Sequence, residues 1–196
     1  LALDHGAQGL QFTVVEGAQR CQLSTRIIGG YNVSNLLGVI ASLRALGIDR
    51  STAVQACSKL TAVPGRLQCL GGQDAPLAVV DYAHTPDALA QVLQALRPLA
   101  MQRGGQLCCV FGCGGDRDRT KRPIMAEVAA RGSNIAIATS DNPRSDDPAQ
   151  ILNDVRDGLI KVHEREWSTT EAAKGEGRGY VVIEDRRAAI QFAVDL

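Results

Sequence analysis

Apolar and polar positions alternate along the first part of the chain and then change rhythm. Leu10, Phe12 and Val14 are spaced by Gln11 and Thr13; after the turn EGAQ a second run carries Cys21, Leu23 and Thr25. A period of two predicts two strands between Leu10 and Ile28. Gly29-Gly30 breaks the run. From about Val33 to Leu46 the period lengthens, with Leu36, Leu37, Ile40, Leu43 and Leu46 at helical spacing and Gly47 as the stop. A second helix is predicted from about Thr52 to Leu60, with Ser51 as its N-cap. Val63-Pro64-Gly65 then marks a boundary, because Pro and Gly halt the helix and the texture changes beyond them.

From Leu77 onward, short runs that are apolar throughout alternate with amphipathic stretches. The runs are LAVVD (77–81), QLCCVF (106–111), NIAIAT (134–139) and YVVIE (180–184). Helices are predicted near 86–100, 121–132, 148–162 and 186–195. Strands without a polar face, each followed by a helix, predict a parallel sheet covered on both sides. The crossover rule places their C-terminal ends together. The expected fold is α/β, a doubly wound, mostly parallel sheet. Thr85-Pro86-Asp87 reads as an N-cap, a first-turn proline and a first-turn acid; Asp147-Pro148 repeats the device, and Asp185 is a third cap. The polar, Gly-rich stretch 164–179 reads as a surface loop or hairpin, with Trp167 able to pack back on the body. The last predicted helix reaches Leu196 without a stop signal, so the sheet is expected to continue beyond it.

Composition adds bounds. The 196 residues are 45% hydrophobic and 21% charged, and basic and acidic side chains balance at 21 each. A neutral chain gives no general electrostatic reason to expect nucleic acid as a partner. No apolar run approaches the length of a membrane span, and LALDHGAQGL lacks the basic start and apolar middle of a signal peptide. The six cysteines (Cys21, Cys57, Cys69, Cys108, Cys109 and Cys113) sit partly inside apolar runs and lack paired C-x-x-C spacing. That pattern fits reduced thiols in a cytoplasmic protein better than disulfides, or a zinc site built from Cys108, Cys109, Cys113 and His84.

Ligands of open α/β sheets bind beyond the carboxyl ends of the strands. Three such ends are dense in charge and glycine: 81–87 (DYAHTPD), 112–119 (GCGGDRDR) and 141–144 (DNPR). Asp81 and His84 also have plain readings, as a strand end and as a cap or core residue. Gly112-Cys113-Gly114-Gly115 resembles the start of a dinucleotide fingerprint, but Arg117 occupies the sixth position, which argues against a nicotinamide. The glycines instead allow a sharp turn and close approach to a ligand. Arg117 and Arg144 would share a crevice if their strands are neighbours. A guanidinium pairs with a carboxylate through two bonds. With Asp141, Asn142 and the loop-stiffening Pro143, the pair suits a molecule bearing both carboxylate and ammonium, an amino acid.

The stretches GGYNVSNLLG, VPGR, VVDYAHTPDAL, VFGCGGDRDRTKRP and TSDNPR resemble successive motifs of the Mur ligase family, in the family's order and spacing. DNPR resembles the selectivity motif of the member that adds meso-diaminopimelate. The resemblance implies that residues 1–62 are the tail of a central ATP-binding domain and 63–196 most of a Rossmann-like C-terminal domain. It implies an ATP- and Mg2+-dependent ligase in peptidoglycan biosynthesis that joins meso-diaminopimelate to UDP-MurNAc-L-Ala-D-Glu through an acyl-phosphate. Asn32, Asn35, Arg66, Asp81 and His84 then match ATP-facing positions, although Asn32 reads equally as a helix cap. Arg117, Asp141, Asn142, Pro143 and Arg144 match the diaminopimelate pocket. No residue reads as a general base or a metal ligand. The sequence also departs from the family pattern: it holds no G-x-x-x-x-G-K-[ST] loop, and none of Lys59, Lys121, Lys161 and Lys174 follows a glycine-rich strand turn. The family's Mg2+ ligands and modified lysine lie upstream, and a glycine-rich motif ending in glutamate lies downstream. These 196 residues alone are expected not to ligate. Folylpolyglutamate synthetase, a lysine-adding ligase and a non-catalytic binding module are the competing readings; the DNPR arginine disfavours the first two.

Overall fold

The computed structural model describes residues 4–6, 9–72, 75–163, 166–174 and 177–196. The chain forms two compact units, one ending at Tyr82 and the other beginning at Ala83.

In the first unit, β1 (Asp4–Gly6), β2 (Gly9–Glu16) and β3 (Gln19–Thr25) form an antiparallel sheet in that order. Phe12 pairs with Leu23 across β2 and β3. The alternation works as the sequence requires: Leu10, Phe12, Val14 and Leu23 turn inward onto Leu36 and Ile40 of α1 (Tyr31–Ala45) and Ala53, Val54 and Cys57 of α2 (Arg50–Ser58). Gly47, at φ 84°, terminates α1. The N-cap of α2 is Asp49, not Ser51: its carboxylate accepts the Thr52 N–H at 3.1 Å, and Ser51 donates to that same carboxylate. The Ser51 and Thr52 bonds hold this carboxyl well below its ordinary pKa. An acid two residues earlier outcompetes serine because its ionised oxygen is the stronger acceptor.

The run LAVVD departs from expectation. Its strand β5 (Leu77–Val80) pairs antiparallel with β4 (Gln68–Gly71) in a two-stranded sheet and is not part of the parallel ladder. Ala78 and Val80 are exposed while Leu77 and Val79 are half-buried. The apolar run predicts burial on both faces, but one face of this ribbon is open.

The second unit runs α3 (Pro86–Gln102), β6 (Cys108–Phe111), α4 (Lys121–Gly132), β7 (Ile135–Ala138), α5 (Pro148–Leu159), α6 (Thr169–Ala173), β8 (Gly179–Val182) and α7 (Arg186–Asp195). The strands form a parallel sheet in the order β6-β7-β8. Successive residues feed opposite faces. Cys109, Phe111, Ala136, Ala138 and Tyr180 pack with Leu89, Leu93, Met125, Ala129, Val155 and Leu159 from α3, α4 and α5. Ile135, Ile137 and Val181 pack with Ala172 of α6 and Ala189 of α7. Each of the larger apolar side chains among these, Leu, Ile, Val, Phe or Met, contributes about 1.5–3 kcal/mol through its burial. Thr85, Asp147 and Asp185 cap α3, α5 and α7 as predicted.

The stretch read as a loop over 164–179 contains α6, closed by a reciprocal capping box between Ser168 and Glu171. S-T-T-E is the signature of that box; the polar composition around it masked the signal. Residues 164, 165, 175 and 176 lie outside the described residues. Trp167 packs on the second face: its N–H donates to the Tyr180 carbonyl at 2.8 Å, and a β-carbon on Gly179 would fall 2.4 Å from its ring.

Candidate functional site

Because β6 and β7 are neighbours, with Phe111 opposite Ala138, the loops that follow them start side by side. Backbone bonds then stitch them together. Thr139 N–H donates to Phe111 O at 2.9 Å, and Gly115 N–H donates to Asn142 O at 2.9 Å. The glycines supply room rather than an unusual turn. A β-carbon on Gly115 would lie 1.7 Å from Pro143 O; one on Gly112 would lie 2.7 Å from Thr139 O. None of Gly112, Gly114 and Gly115 has a positive φ. The left-handed positions are Asp116 (φ 52°) and Arg144 (φ 49°). The sharp turn expected of the glycines thus belongs to Asp116, whose short polar side chain tolerates it and accepts the Ser145 hydroxyl.

Arg117 and Arg144 both approach Gly114 in this floor. A β-carbon on Gly114 would sit 3.1 Å from Arg144 Nη1 and 3.9 Å from Arg117 Cγ. Arg144 Nη1 donates to the Gly115 carbonyl, so it is pinned above the glycine loop. Arg117, Asp141, Asn142 and Arg144 are exposed, and Pro143 is half-buried. The residues that face solvent here are the ones able to meet a ligand.

Beneath them lies Arg122, with only 2% of its side chain exposed. It pairs with Asp146 at 2.5 Å and Asp154 at 2.7 Å, and its Nη2 faces Gly114 O at 3.4 Å. Arg119 reaches Asp146 from the surface at 3.2 Å. The Arg122 hydrogen bond, helped by Arg119, holds the Asp146 carboxyl below its ordinary range. Burial works against ionised Asp154, but bonds from Gln150 and Arg122 bring its pKa below the usual value too. One buried cation thereby ties both loops to α4 and α5. The sequence reading passed over Arg122, since nothing in TKRP separates a buried arginine from a solvated one. The cysteines near the sheet are free thiols. Burial pushes Cys109 up to about 12 and Cys113 up to about 11, so both stay protonated and poorly nucleophilic.

A further residue was also missed. At the end of β8, Asp185 caps α7 and Arg186 begins it. Arg186 Nη1 donates to Ser140 O at 3.3 Å and lies 3.8 Å from Asp141 Oδ1. The third strand end of the parallel sheet is therefore this one, in place of the expected 81–87 stretch. The signal was the charged run Glu184-Asp185-Arg186-Arg187, read only as a cap.

The predicted ATP-facing residues divide between the units. Asn32, Asn35, Arg66 and Asp81 belong to the first and His84 to the second. Asn32 is not an N-cap. That place is held by Gly30, and Asn32 donates its amide to Ile28 O at 2.7 Å while accepting from Asn35 at 2.9 Å. Asp81 accepts the Leu67 N–H at 2.9 Å, securing a residue with φ 46°. Leu67 in turn abuts Gly29, where a β-carbon would fall 2.5 Å from Leu67 Cδ1. The start of α1, the PGR turn and the end of β5 are thus drawn together. The Arg66 guanidinium lies 5.3 Å from the Tyr82 ring centre. The Tyr31 hydroxyl is pushed up by burial and by Asp81, with Arg66 opposing. His84 is exposed, just ahead of the Thr85 cap. Two tyrosines beside a guanidinium, a carboxylate and two amides suit the base and sugar of a nucleotide.

Among the described residues no helix is long and apolar enough to cross a membrane. Residues 65–196 match the family described as Mur ligase, glutamate ligase domain. The chain is 56% identical over 156 residues to the UDP-N-acetylmuramoyl-L-alanyl-D-glutamate--2,6-diaminopimelate ligase of Acidovorax sp. (strain JS42), covering 80% of this chain and 31% of that protein. It is 47% identical over 185 residues to the ligase of the same name from Janthinobacterium sp. (strain Marseille), covering 94% and 34%. A solved structure of a ligase of that name superposes with a TM-score of 0.63 at 39% identity, over 97% of this chain and 36% of the other. The chain spans about a third of the length of these relatives. With a glycine-floored double loop closing a parallel sheet and a family match across most of its length, the chain belongs to the Mur ligase family.

Proposed function

We propose that the chain is the C-terminal part of a cytoplasmic, ATP-dependent ligase of peptidoglycan biosynthesis. The ligase adds meso-diaminopimelate to UDP-MurNAc-L-Ala-D-Glu through an acyl-phosphate. In this reading residues 1–62 close the central ATP-binding domain and 63–196 form the C-terminal domain. The observation that carries it is that Arg117 and Arg144 both lie against Gly114, with Asn142 beside them and Asp141 against neighbouring Gly112.

Arg117 and Arg144 grip the far carboxylate of the diamino diacid, Asp141 and Asn142 receive its ammonium, and Pro143 holds the loop in shape. Orienting this end leaves the other amine free to attack, so the domain contributes position rather than proton transfer. ATP supplies the phosphoryl group that activates the acceptor carboxylate, with Mg2+ ligands mostly outside this sequence. The first-unit residues fit its base and sugar: Asn32 and Asn35 through their amides, Asp81 through its carboxylate and Arg66 at the surface; His84, in the second unit, is assigned to ATP by the motif resemblance alone. The sequence holds no phosphate-binding loop of the G-x-x-x-x-G-K-[ST] type, so ligation is proposed of the whole ligase.

The test is Arg144→Ala in the full-length ligase. The KM for diaminopimelate is expected to rise about tenfold or more, the loss of one charge-assisted pair, while the KM for ATP stays within about twofold. Equal effects on both substrates, or a parent enzyme that prefers lysine when the two amino acids are assayed side by side, overturn the assignment.

A further inference from the structure

Arg186 converges on the loop pocket from an element that the sequence motifs do not include. Its backbone is fixed by the α7 cap, where Asp185 accepts the Ala188 N–H at 2.6 Å. Its guanidinium is fixed by donation to Ser140 O at 3.3 Å. Gly112 leaves the space for it: a β-carbon there would stand 3.2 Å from Arg186 Nη1 and 2.9 Å from Asp141 Cβ. At 3.8 Å from Asp141 Oδ1 the contact is an ion pair too long for a tight hydrogen bond. The Asp141 carboxylate is therefore partly compensated, yet open to a ligand; about half of each side chain is exposed.

We propose that Arg186 is a specificity-determining residue of this pocket. By sharing Asp141, it favours an amino-acid end that bears both ammonium and carboxylate over one that bears ammonium alone. The inference rests on reading the loops as the diaminopimelate pocket. A lone ammonium arriving at Asp141 meets a positive neighbour and a carboxylate whose charge is already partly compensated. A substrate end with a carboxylate beside its ammonium offers that neighbour an opposite charge. Arg186 thus adds attraction for the zwitterionic end and repulsion against the simple amine, the two halves of discrimination. The pair is half in solvent, so its effect is moderate and weakens with salt.

The experiment uses the full-length ligase with diaminopimelate and lysine as competing substrates. Four variants are compared: Arg186→Ala, Arg186→Lys, Arg144→Ala, and Arg187→Ala on the same turn, which takes no part in these contacts. Arg186→Ala is expected to lower the kcat/KM ratio of diaminopimelate over lysine by about tenfold. The KM for ATP and the melting temperature should not move, Arg186→Lys should restore part of the ratio, and Arg187→Ala should leave it alone. An unchanged ratio in Arg186→Ala, with Arg144→Ala lowering it, sinks this inference and leaves the pocket reading standing. If Arg144→Ala also changes neither the ratio nor the KM for diaminopimelate, the pocket reading falls and the inference with it.

Discussion

The loops after β6 and β7 and the polar residues at the start of α1 and the end of β5 carry similar side chains but use them differently. In the loops, backbone–backbone bonds, crowded glycines and the buried Arg122 hold the frame, so Arg117, Asn142 and Arg144 are presented on its surface. In the first unit the polar side chains are themselves part of the frame: Asn32 ties to Ile28 and Asn35, and Asp81 holds Leu67. A substitution in the loops can change recognition without changing structure. One at Asn32 or Asp81 changes both. That difference decides which mutants report cleanly on binding.

Arg122→Met is the strongest way to break the contrast. It leaves Asp146 and Asp154 without their buried cation and should cost about 3 kcal/mol. Denaturant unfolding measures the loss, and weakened diaminopimelate binding by the remaining folded protein should accompany it. A change in stability below about 0.5 kcal/mol, the range of ordinary surface substitutions, refutes the role of this arginine as the tie between the loops.

A smaller effect sharpens the other side of the comparison. Arg66 is exposed and rests on Tyr82 rather than within a buried network. Arg66→Ala in the full-length ligase should raise the KM for ATP about threefold to tenfold, with the KM for diaminopimelate and the melting temperature unchanged. A shift in the amino-acid KM instead would place Arg66 in the wrong site.

The smallest effect is a pH dependence. Asp146 is held ionised chiefly by Arg122, so its folded pKa lies below that of the unfolded chain, about 3.9. Its contribution is therefore fully present above about pH 4 and is lost as pH falls through the lower, folded value. Stability should be level from neutrality down to about pH 4 and then decline, and Arg122→Met should make that decline shallower. An equally steep decline in the variant removes Asp146 from the explanation.

Much of this was legible from spacing and from end residues. The helix over 121–132 and the caps Thr85, Asp147 and Asp185 followed from local chemistry that tertiary packing had no reason to override. What escaped was non-local. LAVV has the composition of a doubly buried strand, and only its pairing with Gln68–Gly71 reveals an open face. Arg122 and Arg186 look like any surface arginine in the sequence, because the acids they pair with stand 24 to 45 residues away. The loop glycines were noticed, but their reason was half misread: contact with Pro143 and Thr139, not the sign of φ, excludes a side chain.

The seating of Gly115 against the Pro143 backbone has an outcome for how such domains can diversify. Because the backbone of one loop is seated directly on the other, the pair must be exchanged together if either changes shape. The exposed tips, by contrast, can be rewritten residue by residue. On the proposed reading of these loops, new amino-acid preferences are then open to the scaffold through side-chain replacement alone, with no remodelling of the sheet beneath.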